Sequence, residues 1–282
     1  MTKLYTTAPT TIFGPPGTGK TTTLINIVQE KLLDGVRPEE IGFMSFSRKA
    51  ATEARERASI ILDLNPKDMI YFRTLHSLAF SWLGLSTSEV MSGRDYNELG
   101  KLVGLDFRTT QTVNMEEGAL FNIGAGGDKY MSLIQYARVK KVDLEEEFHK
   151  GWDQSLNKQQ LLVLDKAFKD YKRANRKVDF IDMIERFIWQ DTSPEFELLI
   201  IDEAQDLAPL QWEMVQDVLV PNSNEIYYAG DDDQAIYSWM GVDADNFLNA
   251  SSDKIILDQS YRVPEHPFAF AKGLTDQITK RE

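Results

Sequence analysis

Gly14-Pro15-Pro16-Gly17-Thr18-Gly19-Lys20-Thr21 sets small residues ahead of a lysine and a hydroxyl. The spacing G-x-x-x-x-G-K-[ST] suits wrapping backbone N–H groups around phosphate oxygens. The run lies between a β-prone stretch, Thr10-Thr11-Ile12-Phe13, and a helix-period stretch from Thr21 to Leu33, with Thr22 counted in the same phosphate-facing turn. A helix starting near Lys20 aims the positive end of its dipole at the same anion. Lys20 would reach the β/γ-phosphates, and the Thr21 hydroxyl would ligate Mg²⁺.

Leu198-Leu199-Ile200-Ile201-Asp202-Glu203 reads as a buried strand ending in two acids. Asp202 can hold Mg²⁺, and Glu203 can polarise an attacking water as general base. Taken alone, the two acids equally suit the start of a helix, where the dipole favours negative charge. Paired with a full phosphate loop on the same sheet, they point to hydrolysis of a nucleoside triphosphate, ATP or GTP.

The elements that must hold these residues alternate. Beyond the two strands above, Ile41 to Phe46, Met69 to Phe72, Ile226 to Ala229 and Ile255 to Leu257 read as buried strands. Thr21 to Leu33 and Arg48 to Leu62 read as helices between them. Such alternation implies an α/β fold, a parallel sheet flanked by helices. Between Gly84 and about Val178 no strand pair is evident. Leu133 to Lys140, Leu144 to Lys150 and Gln159 to Ala174 read as helices there. We therefore expect residues 1–85 and 175–282 to form the sheet domain and 86–174 an inserted, mainly α-helical subdomain.

The 282 residues carry a formal charge of −13. At face value that opposes a polyanionic partner, but residues 179–282 alone hold 22 acidic and 6 basic side chains. The remainder is slightly basic and carries no net penalty against a polyanion. With no cysteine, disulfides, thiolate nucleophiles and Cys-zinc sites are excluded. No apolar run reaches the ~18 residues of a membrane span. A soluble, cytoplasmic monomer is expected.

Asp202-Glu203-Ala204-Gln205-Asp206 resembles motif II of the superfamily 1A helicases, the UvrD/Rep/PcrA family. The other motifs follow in register. Ser45-Phe46-Ser47-Arg48-Lys49-Ala50-Ala51 resembles motif Ia and Thr74-Leu75-His76-Ser77 motif Ib. Val178-Asp179-Phe180-Ile181-Asp182 is similar to the segment leading back into the sheet. Gly230 to Trp239 (GDDDQAIYSW) is similar to motif III and Gln259-Ser260-Tyr261-Arg262 to motif IV. The resemblance implies a RecA-like P-loop NTPase domain with a helical insert, ATP and Mg²⁺ as cofactors, and single-stranded DNA or single-strand/duplex junctions as partner. It further implies that Gln234 senses the γ-phosphate, Arg262 sets a guanidinium on it, and Tyr261 stacks on the nucleotide base. Phe46, Tyr237 and Trp239 would stack on DNA bases, while Arg48, Lys49, Thr74 and His76 would hold phosphates or shape that groove. Each aromatic also fits ordinary packing, and His76 a structural histidine. Basic residues of the insert, including Arg138, Lys140, Lys141, Lys172, Arg173, Arg176 and Lys177, suit a solvated helix face, with some touching duplex DNA.

The sequence departs from the family pattern in three ways. No Gln precedes the phosphate loop to read adenine, and Met240 stands where arginine usually follows the motif III tryptophan. The chain ends at Glu282, so the second RecA-like domain needed for 3′→5′ unwinding would be supplied in cis or in trans. The rival expectation is a non-translocating, nucleotide-gated interaction module.

Overall fold

The structure is a computed structural model that describes residues 8–107, 126–151, 153, 155–231, 242, 244–259 and 261. Six strands form one sheet: β1 (Thr10–Phe13), β2 (Ile41–Ser45), β3 (Phe72–Arg73), β4 (Phe196–Asp202), β5 (Ser223–Gly230) and β6 (Asp253–Ile256). Their order is β3-β2-β4-β5-β1-β6 and every pairing is parallel. With flanking helices this is the α/β fold expected from the alternating pattern, in the RecA-like form that the family resemblance implies. All six strands point their C-terminal ends the same way, so the turns after them meet along one edge, where open parallel sheets bind ligands.

The chain divides into two compact units, residues 1–75 with 192–207 and 215–282, and residues 76–191 with 208–214. The first contains the sheet, α1 (Lys20–Leu33) and α2 (Arg48–Leu62). Phe43, Leu198 and Ile200 pack with Leu24, Ile25 and Ala54 in one buried cluster. Leu199 and Ile201, pointing to the other face by strand alternation, are equally buried. Burial on both faces explains why β4 reads as an unbroken apolar run rather than an alternating one.

Three strands differ from expectation. β2 stops at Ser45, leaving Phe46 beyond the ladder. β3 is only Phe72–Arg73; Met69 is buried but precedes the ladder, and Ile70 and Tyr71 turn. β6 is exposed along its length, because it is an edge strand joined to β1.

The second unit is helical: α3 (Leu75–Trp82, begun in the first unit), α4 (Gly93–Val103), α5 (Gly127–Val139), α6 (Leu144–His149), α7 (Lys158–Asn175), α8 (Phe180–Gln190) and α9 (Pro209–Glu213). Its core gathers Leu99, Phe107, Tyr130, Ile134, Leu164 and Phe168. Its bounds take in α3 and α8, which the sequence reading assigns to the sheet domain. α10 (Ala244–Leu248) returns to the first unit. Among the described residues no helix is long and apolar enough to cross a membrane.

An ion cluster organises the second unit. Asp179, 1% exposed, caps α8 in a reciprocal box with Asp182. Arg138 donates to Asp179 and Asp182 at 2.7 Å each and to Glu185 at 2.6 Å. Lys172 reaches Asp179 and Asp182 at 2.6 Å. Burial opposes these charges, but Arg138 and Lys172 outweigh it and hold the Asp179 carboxyl below the usual carboxylate range. Lys177 pairs with Asp95 at 3.1 Å. Arg138, Lys172 and Lys177 therefore do not belong to the solvated face expected of them. Their charges are spent inside the unit.

Candidate nucleotide site

The phosphate loop follows β1 directly. Gly14 N–H donates to Gly230 O at 3.2 Å, and Thr18 donates to Pro15 O through N–H (3.3 Å) and hydroxyl (2.9 Å). These bonds close the loop over Pro15 and Pro16. A Cβ on Gly14 would lie 2.5 Å from Thr18 Oγ1, so this closure requires glycine there. Gly19, at φ +88, occupies the left-handed conformation from which α1 starts. Gly14 and Thr18 are buried, Pro15, Gly17, Gly19, Lys20 and Thr21 half-buried, and Pro16 and Thr22 exposed. No acidic side chain sits in the first turn of α1, so the helix itself sets no negative charge against an anion at its dipole end. The Lys20 ammonium donates to Gly14 O within the loop.

Asp202 ends β4, two strands away from β1 in the sheet, about 10 Å at the usual strand spacing. Burial, and then the Glu203 carboxylate beside it, push Asp202 up to about 7, while the Lys20 charge pulls the other way. Lys20 follows β1 and Asp202 ends β4, so both lie at the C-terminal edge of the same parallel sheet. In the ladder Ser45 stands opposite Asp202, and its hydroxyl is buried with no hydrogen-bond partner among the described residues. Glu203 adopts a left-handed backbone, φ 54, which is uncommon for a non-glycine residue and clusters at functional sites. Asp206 is also pushed up to about 7, by burial and then by Glu203 and Asp231.

The residues present fit a nucleotide with a divalent cation. A glycine-tight loop, an ammonium, a helix start free of acids, and a buried Asp202 paired in the ladder with a buried serine give both anion donors and oxygen ligands for a hard cation. On the other side, Leu257 N–H donates to Phe13 O and Tyr261 N–H to Gly17 O, each 2.8 Å. The Tyr261 side chain remains 76% exposed.

Residues expected on the DNA side follow β2 and β3. Phe46 is half-buried, and Arg48 and Lys49 are exposed at the start of α2, where Ser47 Oγ accepts from Ala50 N–H at 3.1 Å. Thr74 and His76 are buried, at 4% and 8% exposure. Burial pushes the His76 imidazole down to about 4, and its ring meets Phe180 edge-on at 5.9 Å. A neutral, buried His76 can shape a groove but brings no charge to a phosphate. Gln234, Tyr237, Trp239, Met240 and Arg262 lie outside the described residues.

Sequence reasoning passed over Ser45 and Gln205. Both lie inside recognised runs, and strand pairing was the signal that could have set Ser45 against Asp202. The internal cluster of Asp179, Asp182, Arg138 and Lys172 was also missed, because it needs contacts across 41 and 7 residues of chain.

Comparison with known proteins now defines the class. Residues 2–255 match the UvrD/REP helicase N-terminal domain model, and the chain belongs to that family. It is 25% identical to the ATP-dependent DNA helicase PcrA of Leuconostoc citreum over 98% of this chain and 38% of that protein. It is 27% identical to PcrA of Bacillus subtilis (strain 168) over 91% of this chain and 36% of that protein. It is 24% identical to a probable DNA helicase of Mycoplasma pneumoniae over 96% of this chain and 54% of that protein. The chain thus spans between 36% and 54% of the length of these relatives.

Proposed function

We propose that this chain is the nucleotide-binding motor half of an ATP-dependent DNA helicase. The observation that supports this best is the placement of the Lys20 loop, after β1, and of Asp202 and Glu203, at the end of β4, on one edge of the same parallel sheet. The backbone N–H groups of residues 14–21 and the Lys20 ammonium would bind the ATP phosphates. Thr21 and Asp202 would hold Mg²⁺, which neutralises phosphate charge when bound. Glu203 would accept the proton of the water that attacks the γ-phosphorus. Arg262 would steady the charge developing on the phosphoryl oxygens, and Gln234 would report its loss. Tyr261 would stack on the base through its exposed ring.

Single-stranded DNA, including the strand leaving a junction, would cross the edge beyond β2 and β3. Phe46, Tyr237 and Trp239 would stack on bases, Arg48 and Lys49 would meet phosphates, and Thr74 and His76 would shape the groove. Unwinding with 3′→5′ polarity follows the family resemblance and needs a second RecA-like domain, in cis or in trans. The test is titration of a fluorescent single-stranded oligonucleotide at low salt. Binding weakened by Phe46→Ala and Trp239→Ala supports the DNA reading. Absence of binding, or indifference to both substitutions, removes it.

A further inference from the structure

Gln205 is only 3% exposed and sits in the short turn Ala204–Asp206 after β4. Its amide is engaged in both directions. Nε2 donates to Glu203 Oε2 at 2.9 Å and to Asp206 Oδ2 at 3.3 Å. Oε1 accepts from the Asp231 N–H at 3.1 Å. The approach is close: a Cβ on Gly230 would collide with Gln205 Oε1 and lie 2.8 Å from the Phe247 ring. Glycine at the end of β5 therefore makes room for this amide.

Glu203 needs such a partner. Its backbone is left-handed, at φ 54, a conformation that persists in a non-glycine residue only where surrounding contacts hold it. The Gln205 amide is planar and short, so its donor and acceptor ends move together. A shift of the Asp231 N–H therefore displaces the donor that rests on Glu203.

We propose that Gln205 is a positioning residue that aims the Glu203 carboxylate and ties that aim to the backbone where β5 runs into residues 232–241. Gln234, Tyr237 and Trp239 follow Asp231 in the chain, so on this proposal one buried amide would tie the water-activating acid to the start of that run. The inference rests on reading Glu203 as the general base.

The experiment uses the 1–282 chain in excess over ATP. It compares single-turnover hydrolysis with equilibrium binding of a fluorescent ATP analogue, and measures single-stranded DNA affinity with and without the analogue. Gln205→Glu keeps an acceptor for Asp231 N–H but sets a carboxylate against Glu203. It should slow hydrolysis by about tenfold or more while analogue affinity stays within about twofold, a loss confined to the chemical step. Its nucleotide–DNA linkage should persist. Gln205→Leu removes both ends and should lose rate and linkage together; should that variant fail to fold, Gln205→Glu carries the test. An unchanged hydrolysis rate in Gln205→Glu, or a rate loss matched by lost analogue affinity, overturns the inference. A wild-type chain indistinguishable from Lys20→Ala in analogue binding would instead remove the nucleotide reading, and the inference with it.

Discussion

The Tyr261 N–H donates to the Gly17 carbonyl across 2.8 Å, tying the segment after β6 to the crown of the phosphate loop. Residues 244 positions apart in the chain therefore meet at one site. The bond sets the Tyr261 backbone against the loop, and the residue is exposed; on the proposed function its ring would stack on the nucleotide base. Tyr261→Ala should weaken ATP-analogue binding about tenfold, the scale of one aromatic–base stack, whereas Tyr261→Phe should retain it. Equal affinity in all three chains would assign the ring no part in binding.

Glu203→Gln should leave nucleotide binding intact and lower any residual hydrolysis by about 10²- to 10⁴-fold, the range for a general base. Hydrolysis by residues 1–282 alone should be slow, since only Arg262 is expected to reach the transferred phosphoryl group. Single-turnover assays with purified chain check both points. Robust DNA-stimulated turnover abolished by Lys20→Ala would contradict the second.

Lys172→Met should destabilise the helical unit by about 3 kcal/mol, because Asp179 and Asp182 lose a buried cation while staying desolvated. Urea unfolding followed by the helical signal measures this. A midpoint equal to wild type would show that Arg138 alone satisfies the cluster.

His76 gives the helical unit a pH dependence. Folded His76 stays neutral down to about 4, whereas the unfolded imidazole takes a proton near about 6.5. Between those values the unfolded state binds more protons, so the stabilisation present above about 6.5 is lost as pH falls toward 4. Asp202 and Asp206, both raised to about 7, act oppositely: their contribution is present at low pH and lost as pH rises toward 7. The His76 share is therefore read by difference. His76→Phe should gain stability relative to wild type on going from pH 7 to pH 5, by about 2 kcal/mol. A gap that does not change with pH contradicts the buried, neutral ring.

Much of this was legible in the residues themselves. β1 and α2 have the bounds that their patterns indicate, because Thr10–Phe13 stops at a glycine turn and α2 carries a narrow buried stripe of Ala51, Ala54 and Ala58. The phosphate loop and Asp202-Glu203 are local in sequence, and local spacing carries their chemistry. α5 was less legible: it begins at Gly127 and is buried on nearly every side, so no polar face gives it a helical period. The fate of Arg138 and Lys172 was not legible at all. A lysine on an amphipathic helix reads as solvated until a distant Asp179 is brought beneath it. Likewise the contacts of Gln205 have no signature in sequence, since Gly230 and Asp231 reach it from the end of another strand.

Residues 14–21 with Asp202 would form the nucleotide–Mg²⁺ site on which the proposed function depends. Equilibrium titration of the 1–282 chain with a fluorescent ATP analogue in Mg²⁺ tests it directly, run beside Lys20→Ala. The wild type should bind saturably, and Lys20→Ala should lose about tenfold or more in affinity, the scale of a lost charge-assisted phosphate contact. Identical titrations for the two chains, whether both bind or neither does, would rule out a phosphate site at Lys20.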